Sequence, residues 1–227
     1  WDMPRKKIIE WDWETSFSSL AYLKAHVGRV EQAPFDGLVI TIQEDGKIYK
    51  DGLCHEVKWT EAEMQPIFDG LAAIEWKAYR HNFIGVFAGE HHLGSDSRGR
   101  MDWFDDGHWE NVLHNIRMMT RAAVAGKCMG LLFDPETYHR TVWNYYPNAK
   151  RKQPAALHYD TKTYDAYFDQ VRRRGAQYMQ AIQEEMPQCV FFNAYLAIRI
   201  GPSDTSRNIN SLYHAFLNGM LDVAGPG

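Results

Sequence analysis

Short apolar runs alternate with helix-patterned stretches along this chain, and that alternation limits its folds more than any other feature. Runs at residues 7–13, 38–43, 81–90, 128–133 and 189–198 read as strands. Between them lie helix-patterned stretches at 15–31, 60–74, 107–126, 161–186 and 211–223. Nearly continuous apolar strands separated by helices imply a parallel sheet covered by helices. Local signals agree. Phe17, Leu20, Leu23 and Val27 recur at helical spacing behind Thr15 or Ser16. Thr60-Glu61-Ala62-Glu63 has the pattern of a capping box, and Pro66 behind it predicts a kink or a later start. Asp45-Gly46 and Asp51-Gly52 predict a hairpin excursion within residues 44–59.

Two closures suit such a sheet, a (β/α)8 barrel and an open doubly wound sheet. The chain has 227 residues, which suits one well-buried domain. Five β/α units are legible, whereas a TIM barrel uses eight and about 250 residues. No Gly-x-Gly-x-x-Gly follows the first strand and no P-loop is present, which weakens the nucleotide-binding version of the open sheet. The expected fold class is therefore α/β of the (β/α)8 TIM-barrel type, incomplete or truncated, as a single catalytic domain over residues 1–227.

Composition narrows the partners. A net charge of -4 offers no basic face for nucleic acid. Lys150-Arg151-Lys152 and Arg172-Arg173-Arg174 read as local solvated faces. No apolar stretch reaches the roughly 20 residues of a membrane span. Cys54, Cys128 and Cys189 have no metal-type spacing and read as buried small hydrophobes. The first residue is Trp1, which leaves localisation open, with a secreted or periplasmic protein slightly favoured. Eight Trp and twelve Tyr suit a large core and also suit a sugar-binding cleft.

Chemistry concentrates where strands end. Gly130-Leu131-Leu132-Phe133-Asp134-Pro135-Glu136 is an apolar run that stops in two acids around a proline. A strand's period of two puts Leu132, Asp134 and Glu136 on one face, and the proline ends regular pairing there. The same period sets Glu10 with Asp12, Thr41 with Gln43, Glu90 with Ile84 and Val86, and Asn193 with Tyr195. In a parallel barrel the C-terminal strand ends form one functional mouth. Glu136 is then the candidate general acid and Asp134 its partner, sharing a proton with it or orienting a substrate group. Asp12 is the candidate opposing carboxylate that activates water, its distance from the acid setting the stereochemical outcome. Gln43, Asn82, Glu90, His91, Tyr138, Trp143, Asn193 and Tyr195 are the candidate substrate-binding residues. Trp11, Trp13, Trp103, Tyr145 and Tyr146 are further candidates for a sugar cleft, with a core role the competing reading and the favoured one for Trp11. A structural reading also competes for the acids, with Asp134 capping a turn at Thr137 and Glu136 pairing with Arg140.

The stretches Lys7-Ile8-Ile9-Glu10-Trp11-Asp12-Trp13, Pro34-Phe35-Asp36-Gly37-Leu38-Val39 and Gly130 to Tyr138 resemble a group of bacterial glycoside-hydrolase-like TIM-barrel proteins. The resemblance runs over most of the chain and implies a barrel acting on carbohydrate. Asp134 and Glu136 also resemble the end of the chitinase-type motif, in which the glutamate protonates the glycosidic oxygen. The upstream Asp-Gly and central aspartate of that motif are missing here.

The expected function is glycosidic-bond hydrolysis on a carbohydrate substrate, without cofactor or catalytic metal, and without nucleic-acid or membrane partners. Two alternatives stay open. One is a metal-dependent sugar isomerase or aldolase using Glu90, His91, Asp134 and Glu136. The other is a carbohydrate-binding barrel without catalysis.

Overall fold

A computed structural model describes residues 6–11, 20–44, 47–49, 57–88, 102–136, 142–147, 155–194 and 212–225. Five parallel strands alternate with helices and curl into a half-barrel. In chain order they are β1 (Ile9–Glu10), β2 (Gly37–Ile40), β5 (Phe83–Phe87), β6 (Gly130–Asp134) and β7 (Val190–Asn193), and this is also their spatial order. A hairpin of β3 (Ile42–Glu44) and β4 (Lys47–Tyr49) interrupts the series after β2. The helices are α1 (Leu20–Val30), α2 (Glu61–Ala72), α3 (Asp106–Ala125), α4 (Tyr164–Glu185) and α5 (Tyr213–Val223). The five predicted β/α units are all present, with ends shifted by a few residues.

Each long helix starts where the sequence supplies an oxygen for its first turn. Thr60 Oγ1 accepts the Glu63 N–H at 3.2 Å while Glu63 accepts the Thr60 N–H at 2.9 Å, a reciprocal capping box. Asp105 accepts from the His108 N–H, and Thr163 from the Ala166 N–H. Pro66 neither delays nor divides α2, which runs from Glu61 through it.

Alternation along the strands divides the core in two. Leu38, Ile40, Ile84, Val86, Leu131 and Phe133 face the helix layer and join the large cluster there. Val39, Phe83 and Leu132 face the concave side, with Ile9, Trp11 and Met129 packed on them. The helix-side core is rich in large rings. Trp103, Trp109 and Trp143 are each at most 2% exposed, so these indoles are core and not open platforms. Phe133 and Phe216 stack at 6.2 Å within the same layer.

The N-terminal edge of the sheet is closed by side chains spent on backbone groups. Glu31 Oε1 accepts the N–H groups of Lys77, Ala78 and Tyr79 at 2.7–2.9 Å. Asp36 Oδ2 accepts the Ile8 N–H at 2.8 Å, and its main-chain oxygen accepts from Arg80 and His81. These bonds tie the segments at residues 8, 36 and 77–81 together, and the one to the Tyr79 N–H serves a partly buried donor.

Burial of ionisable groups predicts an alkaline limit to stability. Burial pushes the Cys128 thiol up to about 12, Cys189 up to about 11 and the Tyr167 hydroxyl up to about 12. Burial also raises Tyr178 and Tyr213. In the unfolded chain thiols titrate near 8.5 and phenols near 10. Above about pH 9 the unfolded state therefore releases protons that the folded state keeps, and stability falls toward pH 12. The urea midpoint is expected to be lower at pH 10.5 than at pH 8, and the Cys128→Ala variant to lose less over that interval. Equal midpoints at the two pH values would contradict this.

Candidate active site

The central feature is the exit from β6. Gly130 opens the strand where a Cβ would overlap the Val190 backbone, so glycine permits close approach of β7. Leu131 and Phe133 then take the helix side, and Leu132 and Asp134 the concave side. Main-chain pairing continues to the strand end, with the Ala88 N–H donating to Asp134 O and the Ala194 N–H to Phe133 O. Pro135 contributes no donor, and the ladder stops there.

Asp134 is 1% exposed, and its Oδ1 accepts the Glu136 N–H at 2.9 Å. The two acids are thus joined by an Asx turn around Pro135. The Trp143 indole N–H donates to the Pro135 carbonyl at 2.8 Å and holds the turn from its other side. Glu136 itself is half-buried. Thr137 and Arg140, the partners that the competing reading gives to these acids, lie outside the described residues.

Loops on the same edge brace this turn. Asp102 and Trp103 lie between β5 and α3, and residues 142–147 and 155–163 between β6 and α4. Helices antiparallel to the strands begin at the strands' C-terminal edge, so both loops belong to the mouth. The Trp103 N–H donates to Val142 O at 3.1 Å, and its ring lies 5.7 Å from that of Trp143. His158 Nε2 donates to both Asp102 carboxylate oxygens, at 2.9 and 3.0 Å, clamping one loop to the other. Arg174 and Gln170 both donate to Trp103 O, and Arg174 also bonds Asp106.

The predicted substrate-binding residues separate. Trp143 is at the mouth but 1% exposed, packed 4.9 Å from Tyr213 and 5.4 Å from Phe216. It positions the turn and presents no free ring to a sugar. Asn193 falls on the other face of the sheet from Asp134. Its register partner is Phe133, and its Oδ1 accepts from the Tyr213 hydroxyl at 2.8 Å. Asn82 lies at the opposite end, just before β5. Its Oδ1 accepts the Leu38 N–H and its Nδ2 donates to Tyr79 O, so it is a structural bridge at the N-terminal edge. Gln43 belongs to the β3–β4 hairpin, opposite Ile48, and not to a strand of the main sheet. Asp12, Glu90, His91, Tyr138 and Tyr195 lie outside the described residues, as does Trp13.

Glu10, the acid of β1, faces the helix layer, where it lines a 260 Å³ pocket with Arg29 and Tyr79. A larger pocket of about 480 Å³ opens between α4, α5 and β7, lined by Cys189, Phe191, Asn193 and His214 among mostly apolar groups. Asn193 in its wall accepts from the Tyr213 hydroxyl, which burial and, to a lesser degree, the Asp134 charge hold above the usual phenol range. Among the described residues no three His, Cys, Asp or Glu side chains converge as metal ligands, and no helix is long and apolar enough to cross a membrane.

Sequence reasoning missed the Asp102–His158 clamp, for which no local pattern exists across 56 residues of separation. It also read Arg172-Arg173-Arg174 as a solvated face. Arg172 pairs with Asp222, whereas Arg174 is 3% exposed and sits over the Trp109 ring. A helical period would have found it, since Tyr167, Gln170, Val171, Arg174 and Tyr178 are one buried stripe of α4. Compared with protein-family models, curated proteins and solved structures, the chain matches none of them.

Proposed function

We propose that this protein is a glycoside hydrolase of TIM-barrel type, acting on a carbohydrate by carboxylate general acid/base catalysis. The reading rests above all on the Asp134-Pro135-Glu136 turn. Two acids stand at the C-terminal end of an interior parallel strand, one of them on the concave face, and the turn is held from both sides. That edge is where α/β barrels place their chemistry. The N-terminal edge spends Glu31, Asp36 and Asn82 on backbone groups, and so supports the division between a structural base and a reactive mouth.

In this mechanism Glu136 gives its proton to the glycosidic oxygen as the bond from that oxygen to the anomeric carbon breaks. Asp134 fixes the Glu136 backbone and keeps negative charge beside the donor. The base that takes a proton from the water attacking the anomeric carbon is a second carboxylate of the concave face, a face that Glu10 of β1 does not share. The water's oxygen ends on the sugar, and the leaving group departs as an alcohol. The proposed carboxylate separation is the roughly 5–10 Å of two-acid glycosidases.

The test is reducing-end formation from β-1,4-glucan, β-1,4-xylan, chitin and α-1,4-glucan tetrasaccharides by wild type and Glu136→Gln. Cleavage of at least one by wild type and its collapse in the variant are expected. Cleavage that persists in Glu136→Gln would remove Glu136 as the acid. Binding without cleavage would instead identify a non-catalytic carbohydrate module.

A further inference from the structure

The pocket of about 480 Å³ between α4, α5 and β7 is held open by its own frame. Gly175 and Gly219 bring the two helices backbone to backbone, so the pair behaves as one rigid wall. At one end the Tyr213 hydroxyl donates to Asn193 Oδ1 and ties the start of α5 to the end of β7. At the other end Gln183 of α4 donates to Val223 O and accepts the Gly225 N–H, which fixes the exit of α5. Protein interiors are close-packed, and an open pocket of this volume with mostly apolar walls is the usual form of a small-molecule site. Solvent reaches it. Met179, Phe191 and Leu217 in its walls are half-buried, and Leu221 at its rim is 73% exposed.

The unspent polar groups of the pocket gather at one end. Asn193 closes β7 at the C-terminal edge of the sheet, and His214 and Asn218 stand four residues apart on one face of the first turns of α5. Asn193 uses only its oxygen, and among the described residues His214 and Asn218 make no side-chain hydrogen bond. Amide donors, an amide acceptor and an imidazole are thus available together. Toward the N-terminal edge the walls turn apolar, and the one amide there, of Gln183, is occupied by backbone groups. No Lys, Arg, Asp or Glu lines any part of the pocket. A charged ligand group would therefore be buried without a counter-charge, at far greater cost than a neutral polar one. Burial first, and the Asp134 charge after it, raise the Tyr213 hydroxyl, so negative potential reaches the polar end and further disfavours an anion.

We propose that this pocket binds an uncharged, mainly apolar small molecule with one hydrogen-bonding end. That end meets Asn193, His214 and Asn218, and the body lies along Met179, Phe191 and Leu217. A single polar head on an apolar body matches the gradient of the walls, whereas an extended peptide carries an amide at every residue. No step of the proposed hydrolysis enters the pocket, so the inference does not rest on that reading.

The test adds decan-1-ol, decanoate and decylammonium to the full chain. The three share one apolar body and differ in the charge of the head. Binding is followed by calorimetry and by the methyl resonances of Met179 and Met220, both in the pocket wall. One decanol per chain is expected to bind, to shift both methyls, and to bind about tenfold or more tightly than either ion. Leu217→Trp fills the pocket and is expected to abolish the shifts at an unchanged far-ultraviolet spectrum. If tryptophan prevents folding, Asn218→Leu takes its place and should weaken decanol about threefold to tenfold, as for one lost hydrogen bond. Absence of binding by all three probes would overturn the inference, as would equal affinity for the three heads. So would a decanol affinity that the folded variants leave unchanged. Methyl shifts that appear on concentrating the protein alone, with a doubled mass in sedimentation, would make the pocket a contact between copies and also overturn it. Glycan turnover is not read, so each of these outcomes leaves the hydrolase reading standing.

Discussion

Replacing Gly219 with alanine is expected to destabilise the protein by about 2 kcal/mol or more, although alanine is the better helix former. In an exposed helix interior the same change gains about 1 kcal/mol. Here α4 and α5 cross backbone to backbone. A Cβ on Gly219 would overlap the Arg172 carbonyl oxygen, and one on Gly175 would overlap that of Phe216. Neither oxygen is at the end of a flexible side chain, so a methyl group fits only if the helices separate. Separation would loosen the contacts of Phe216 with Trp143 and Tyr178, at 5.4 Å each, and through Trp143 the turn at Pro135. A chain of this size is expected to lose about 4–8 °C in melting temperature for that change. Gly175→Ala should behave alike. A stabilised Gly219→Ala protein would show that the helices are farther apart than described.

The second large effect is expected at Glu136. A general acid contributes about 100- to 10,000-fold to a rate. Glutamine preserves shape and hydrogen bonding but carries no transferable proton, so Glu136→Gln is expected to lose turnover in that range. The loss should be smaller for an aryl glycoside whose phenolate departs without protonation, because that substrate needs the acid less. Stability should change little, by about 1 kcal/mol or less, because glutamine keeps the shape of the side chain and an accepting oxygen. The group Asp134 holds is the backbone N–H of residue 136, which glutamine retains. Equal losses on natural and aryl substrates would point to a binding role for Glu136.

How far these residues could be read in advance depended on whether a local rule governed them. The capping box at Thr60 and Glu63 is a contact over three residues and was fully legible. So was the β6 exit, where an apolar run, two acids and a proline coincide. The face that each strand turns inward was less so. In β7 both Phe191 and Phe192 are apolar, so alternation alone did not say that Phe191 and Asn193 share the helix side. Gln43 was misplaced because alternation runs smoothly through Thr41, whereas the backbone leaves the sheet there for the hairpin. Asn82 was read as a substrate-binding candidate although it stands at the start of the predicted 81–90 strand, and its long-range partner Leu38, which no local pattern announces, shows it bridging the N-terminal edge.

Those corrections reduce the described mouth to Asp134, Glu136 and their supports, and they sharpen the central claim. In it, one edge of the half-barrel has a structural role and the other is the proposed seat of chemistry. The direct test is turnover per folded molecule, measured beside the urea midpoint, for Glu136→Gln and Asn82→Ala on whichever tetrasaccharide wild type cleaves. Asn82→Ala leaves a buried Leu38 N–H without its acceptor, and should cost about 1–3 kcal/mol while folded molecules keep near-wild-type turnover. Glu136→Gln should keep its midpoint and lose turnover. Retained turnover in Glu136→Gln, or its loss in fully folded Asn82→Ala, would contradict the account.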